Sequence, residues 1–362
     1  MNKVHMKWPV MAALAVACAV LATAPASAQK QYDPGASDSE IKIGQTMPFS
    51  GPASAYATIA KAEAAYFHMI NEQGGINGRK INLIAYDDGY NPAKTVEQTR
   101  KLVESDEVLF IFGSLGSAHN AAVQKYLNDK KIPQLSIATG ATRFSDPVKF
   151  PWTMAANPNY QTEARIYGRY VLENHPGAKI GILYQNDDFG KDYVIGLKKA
   201  LGDKAASMIV AEAAYEPTDP TIDSQIVRLK SAGADVFYNI SSPKFAAQAI
   251  RKISELDWKT VHIMTVNSTS VGGVLKPAGL DLSRGIISVN WGKDPGDPTW
   301  DNDPGMKKWR AFMDRYYPEG DKNSSFNTYA FSTAQTLEKV LRACGDNLTR
   351  ENVMKRFTSM KA

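Results

Sequence analysis

Two short stretches pair hydroxyls with glycine: Gly113-Ser114-Leu115-Gly116-Ser117, and Ala138-Thr139-Gly140-Ala141-Thr142 followed by Arg143. Each comes directly after an apolar run and directly before a stretch with helical spacing. A helix start offers unpaired backbone N–H groups and the positive end of the helix dipole, and both attract an anion. Gly116 and Gly140 have no Cβ, so a ligand can approach the backbone closely. Ser117 and Thr142 would add hydroxyl donors. Either residue alone reads equally well as an N-cap. Two such loops at neighbouring strand ends point to a carboxylate site.

Other chemistries lack their residues. No G-x-G-x-x-G follows the first strand, and there is no G-x-x-x-x-G-K-[ST], so those modes of nucleotide binding are unsupported. Ser114 sits one place early for a nucleophile elbow. His68, His119, His175 and His262 are far apart in sequence. Asp87-Asp88 and Asp187-Asp188 could act as general acids, but turn roles for such pairs are commoner. Cys344 reads as a buried or helix-end thiol. No catalytic constellation, metal or cofactor is expected. Lys and Arg (42) nearly balance Asp and Glu (37), so the basic stripe of a nucleic-acid binder is missing. A chain 44% hydrophobic and 22% charged is not a disordered one.

The N-terminus reads as an address. Lys3 and Lys7 precede an apolar, alanine-rich run from Val10 to Pro25, and Ala26-Ser27-Ala28 offers the small residues of a cleavage site. The run falls short of the roughly 20 residues of a membrane helix, which disfavours an anchor. A lipid on Cys18 ranks lower still, because apolar residues continue past it. Cleavage after Ala28 removes two lysines and no acid, taking the formal charge from +5 to +3, and leaves Cys344 alone. The expectation is a secreted, periplasmic protein held together by burial rather than disulfides.

Strand and helix patterns alternate around the two loops. Apolar runs at Ile41–Gly44, Ile81–Tyr86, Val108–Phe112 and Ile132–Ile137 are separated by helical stretches. The alternation pauses near Phe150-Pro151-Trp152 and restarts with Ile180–Tyr184, Met208–Val210, Val236–Ile240 and His262–Thr265. The pattern predicts an α/β chain of two doubly wound parallel-sheet lobes joined by a hinge. Lobe 1 takes residues 29–150 and 291–362, lobe 2 takes 151–290, and the crossings lie near residue 150 and at Ile286–Trp291.

Several segments in combination resemble the type I periplasmic substrate-binding proteins of ABC transporters, the branched-chain amino acid (Leu/Ile/Val-binding) type. They are Ile41-Lys42-Ile43-Gly44 with Ser50-Gly51-Pro52-Ala53, Asn71-Glu72-Gln73-Gly74-Gly75-Ile76-Asn77-Gly78-Arg79, Tyr86-Asp87-Asp88, Ala138-Thr139-Gly140-Ala141-Thr142, Tyr184-Gln185-Asn186-Asp187-Asp188-Phe189-Gly190 and Ala232-Gly233-Ala234-Asp235. The resemblance implies a two-lobed receptor that closes on a small ligand, docks on a membrane permease and acts as a monomer. It places the ligand carboxylate at Ser117 and Thr142, with backbone groups at Gly140 and Ala141, and an aromatic wall at Tyr56 and Phe189. A family tyrosine position falls at Ser241, and the family's ammonium-binding glutamate at Asn267. Asn267 brings no charge, and a buried ammonium without a carboxylate partner is costly. The ligand expected is therefore an aromatic or apolar acid. The alternative is an aliphatic amino acid whose ammonium meets Asp187, Asp188 or Glu216; a secreted enzyme or a ligand sensor on the same fold is the alternative from another class. Family members usually continue past the last helix, with a third crossing, whereas this chain ends at Ala362.

Overall fold

The computed structural model describes Met1 and residues 30–360; the expected signal peptide lies outside the described residues. Short strand β1 (Gln31–Tyr32) leads to β2 (Glu40–Met47), α1 (Ala57–Glu72), β3 (Lys80–Asp87), α2 (Pro92–Glu104), β4 (Phe110–Phe112), α3 (Ser117–Asp129), β5 (Gln134–Ile137) and β6 (Thr153–Ala155). Then come α4 (Tyr160–Asn174), β7 (Ile180–Gln185), α5 (Asp188–Leu201), α6 (Ala205–Met208), β8 (Ile209–Tyr215), α7 (Asp223–Ser231), β9 (Val236–Ile240), α8 (Pro243–Glu255) and β10 (Val261–Met264). The chain closes with α9 (Lys276–Ala278), α10 (Pro304–Tyr316), α11 (Ser325–Cys344), β11 (Asn347–Leu348) and α12 (Arg350–Thr358). No helix among the described residues is long and apolar enough to cross a membrane.

Two large parallel sheets result, beside the two-stranded parallel pair of β1 and β11. The first runs β3-β2-β4-β5-β6 and the second β10-β9-β7-β8. Counted from its own first strand, the first sheet is wound 2-1-3-4-5 and the second 2-1-3-4, so each reverses direction beside that strand, and that is where a doubly wound sheet binds ligands. The strands Phe110–Phe112 and Val236–Ile240 are buried throughout, as central parallel strands covered on both faces must be. The first sheet extends through Ala155, past the crossing expected near residue 150, because Gln134 and Ile137 of β5 pair with Thr153 and Ala155. At the second crossing Ile287 bridges Ile263 of β10 in parallel.

Packing follows the sheets. Tyr66, Phe67, Phe312 and Phe331 join α1, α10 and α11 beneath the first sheet, and the same cluster takes in Ala246, Ile250, Met264 and Val274 from the second half of the chain. Tyr167, Ile182, Tyr193 and Tyr238 form the heart of a second cluster around α4 and α5. Strand β1 pairs with β11, and Arg350 donates to the carbonyls of Val108 and Leu109.

Candidate functional site

The segments that follow the carboxyl ends of both sheets line one cavity of about 890 Å3. The first sheet contributes Tyr56, Tyr90, Gly116 and Ser117; the second contributes Phe189, Ser242 and Asn267, with Tyr160 entering from the start of α4. Of the eight residues singled out from sequence, the cavity wall contains Tyr56, Ser117, Phe189 and Asn267.

Ser117 is the first residue of α3 and makes no capping bond with its side chain; Gly116, at φ 103°, holds the cap position. A Cβ at Gly116 would lie 2.3 Å from Nδ1 of His119, so this turn requires glycine. Freed from capping, the Ser117 hydroxyl lies 2.7 Å from the Thr139 hydroxyl. Thr139 accepts in turn from the Ala141 N–H at 3.2 Å.

The loop after β5 is placed differently from the sequence expectation. Gly140, Ala141 and Thr142 are not part of the cavity wall. Gly140 is needed for packing, since a Cβ there would lie 2.1 Å from the Pro158 carbonyl oxygen. The Thr142 hydroxyl pairs with the Asn159 amide at 3.0 Å, and its N–H donates to Asp192 at 2.6 Å. Ser241 is fully buried and donates to Oδ1 of Asn239, while its neighbour Ser242 reaches the cavity.

Polar contacts cross the cleft. The Tyr56 hydroxyl donates to the Asn267 carbonyl at 3.0 Å. Gln185 Nε2 donates to the Tyr90 hydroxyl at 3.1 Å, and Arg143 pairs with Asp188 at 2.7 Å. Tyr90 also lies over the buried His119 ring, with centroids 4.2 Å apart. Tyr160, Phe189 and Tyr193 form a cluster of rings 4.7–5.6 Å apart. Tyr90 was missed from sequence although it sits in the Asp88-Gly89-Tyr90 turn at the end of β3; the strand-end position was the available signal.

The charged residues in the cavity wall are Lys293 and Asp303, which pair with each other. Asp87, Asp88 and Asp187 take turn or cap roles, while Asp188 pairs with Arg143. Asp87 accepts from Ser50 and from the Gly89 N–H, and Asp88 from the Tyr90 N–H and Thr95. Asp187 caps α5 by accepting from the N–H groups of Phe189 and Gly190, and burial pushes its pKa up to about 6. Among the described residues, no group of three or more His, Cys, Asp or Glu side chains could hold a metal ion.

The chain matches the sequence profile of the periplasmic binding protein family over residues 40–362. It is 24% identical over 322 residues to Leu/Ile/Val-binding protein homolog 1 of Brucella abortus, covering 88% of this chain and 82% of that protein. A substrate-binding periplasmic protein from Ralstonia solanacearum superposes with a TM-score of 0.80 at 25% identity, over 88% of this chain and 89% of the other. A fatty acid ABC transporter substrate-binding protein from Thermomonospora curvata gives 0.77 at 22% identity, over 91% and 83%. Two parallel sheets of one winding, meeting at a cleft built from their strand ends, thus coincide with a profile match over most of the sequence: the chain belongs to the periplasmic binding protein family, with the type I fold of the Leu/Ile/Val-binding proteins.

Proposed function

We propose that this protein is the substrate-binding component of an ABC importer and that its lobes close around a small acid with an aromatic or apolar body. The first lobe comprises residues up to Ala155 with those after about 290, and the second lies between them. The observation that carries the ligand class is the composition of the cavity wall. Gly116 and Ser117 offer a helix start and a hydroxyl to a carboxylate, Tyr56, Tyr90, Tyr160 and Phe189 offer aromatic surface, and the one carboxylate, Asp303, is committed to Lys293. If Thr139 donates to Ser117 while accepting from Ala141, the Ser117 proton is left for a ligand oxygen.

Burying an aromatic body of roughly 150 Å2 contributes on the order of 4 kcal/mol, enough to stand in for an ammonium contact. The lobes then hinge on the ligand, and the closed form docks on a membrane permease. Export to the periplasm proceeds through cleavage before Gln29; N-terminal sequencing of periplasmic protein that began at Met1 would refute it.

A second reading, an aliphatic amino acid as ligand, draws on the name of the Brucella relative, a Leu/Ile/Val-binding protein homolog. Calorimetry with leucine, benzoate and phenylacetate on one preparation separates the two. Tight leucine binding with none for the aromatic acids overturns the first reading.

A further inference from the structure

We propose that Glu163 is a positioning residue that acts through Tyr193 to turn the Asn267 carbonyl oxygen into the cleft, so that the site selects acids carrying a hydrogen-bond donor. This rests on the reading of the cavity as an acid-binding site, and it specifies which acids.

Glu163 lies on α4 and is buried at 3% exposure. Three donors converge on its carboxylate: the Tyr167 hydroxyl at 2.8 Å, the Tyr193 hydroxyl at 2.7 Å and the Val266 N–H at 3.0 Å. Burial raises its pKa, and these three donors oppose the rise. When Glu163 is ionised its carboxylate only accepts, and a tyrosine hydroxyl has one hydrogen. With that hydrogen given to Glu163, the Tyr193 oxygen can only accept.

The side-chain amide of Asn267 lies 3.2 Å from the same oxygen. Its NH2 group must therefore face Tyr193, and Oδ1 must face away. With Glu163 ionised, the direction follows from the chain of donors and does not depend on telling nitrogen from oxygen in the amide. Asn267's backbone carbonyl is already taken by Tyr56, and the Val266–Glu163 bond fixes the loop one residue earlier. Among the described residues Oδ1 makes no hydrogen bond, and Asn267 is part of the cavity wall. The cleft thus meets an acceptor whose orientation is set through Tyr193, suited to a hydroxyl group on the bound acid.

Glu163→Gln inverts this relay. The Val266 N–H is a donor only, so the glutamine carbonyl must take the Oε1 place and its NH2 the Oε2 place, facing Tyr193. Tyr193 then accepts from glutamine and donates to Asn267, whose amide must turn over and present NH2 to the cleft.

The test is calorimetry on wild type, Glu163→Gln and Tyr193→Phe with acid pairs differing by one hydroxyl donor: phenylacetate and mandelate, 4-methylpentanoate and 2-hydroxy-4-methylpentanoate. In the wild type the donor-bearing member should bind about tenfold more tightly. In both variants that ratio should fall to about one, while the donor-free acids stay within about twofold. A ratio unchanged in both variants, or equal losses for both members of each pair, overturns the proposal. A readout without ligand separates it from the parent reading. The Asn267 side-chain NH2 protons, assigned by their absence in Asn267→Asp, should exchange slowly in the wild type and faster in Tyr193→Phe; equal exchange overturns the proposal. If no acid binds but this protection is seen, the ligand class falls and the relay stands.

Discussion

Glu63 should make the protein less stable as pH rises, and Glu63→Gln should abolish that dependence. The carboxyl sits inside the first lobe on α1 with no exposed surface, accepting from Gln45 Nε2 at 2.6 Å and from the Thr333 hydroxyl at 3.0 Å. Neither partner is charged, and burial pushes its pKa from 4.5 up to about 8. The folded state therefore holds the proton more tightly than the unfolded state. The stabilisation is complete below pH 4.5 and is lost as pH rises through about 8. Each pH step between those values costs about 1.4 kcal/mol, so moving from pH 5 to pH 7 should cost about 2–3 kcal/mol, a large share of an ordinary domain's stability. Thr333 also bonds to the carbonyls of Tyr329 and Ala330, leaving its oxygen free to accept from a protonated Glu63. Glutamine reproduces that neutral form, donating to Thr333 and accepting from Gln45. The assay is urea unfolding of both proteins from pH 5 to pH 8. Asp187, pushed up to about 6, and His262, pushed down to about 3, belong to both proteins and cancel in the difference. Glu63→Gln should exceed the wild type by about 3 kcal/mol at pH 7 and converge on it near pH 4.5. Parallel curves would refute the reasoning.

Ser117→Ala should weaken acid binding by about 1.5–3 kcal/mol, the range for a hydrogen bond to a charged group; Thr142→Ala, whose hydroxyl is engaged with Asn159, should cost less, and calorimetry of both reads the contrast. Cys344 is buried, with its pKa pushed up to about 11, so in protein lacking residues 1–28 the native thiol should react with an aromatic disulfide reagent at pH 8 far more slowly than the unfolded one. Small-angle scattering should show a smaller radius of gyration with a bound acid than without; an unchanged radius with binding confirmed would reject lobe closure.

Much of the fold was legible because its signals are local. Ile180–Tyr184 and Val236–Ile240 are mainly apolar segments of strand length, and the turn chemistry of Asn91 and Asp187 caps the helices that follow. Strands β1, β6 and β11 were not legible, since two or three residues carry no period and owe their pairing to distant partners. Sequence singled out the loop Ala138–Thr142 but not which of its hydroxyls approaches Ser117: Thr139 lies beside Ser117, while Thr142, three residues on, bonds to Asn159. Glu163 looks like a surface residue of an amphipathic helix; its burial is set by Tyr193 and Val266, 30 and 103 residues away.

The pairing of β1 with β11 ties the start of the described chain to a segment synthesised about 300 residues after it. Arg79 is held by Asp346, the Arg350 N–H by Asp33, and the carbonyls of Val108 and Leu109 by the Arg350 guanidinium. The strands of the second sheet, residues 180–264, pair with one another and not with that segment. On a chain emerging from its N-terminus, the second lobe can therefore fold while the first stays open, waiting through some 300 residues of loop closure. A ribosome stalled before Asp346 would carry one finished lobe and one protease-sensitive half, and limited proteolysis of such stalled chains would reveal the order.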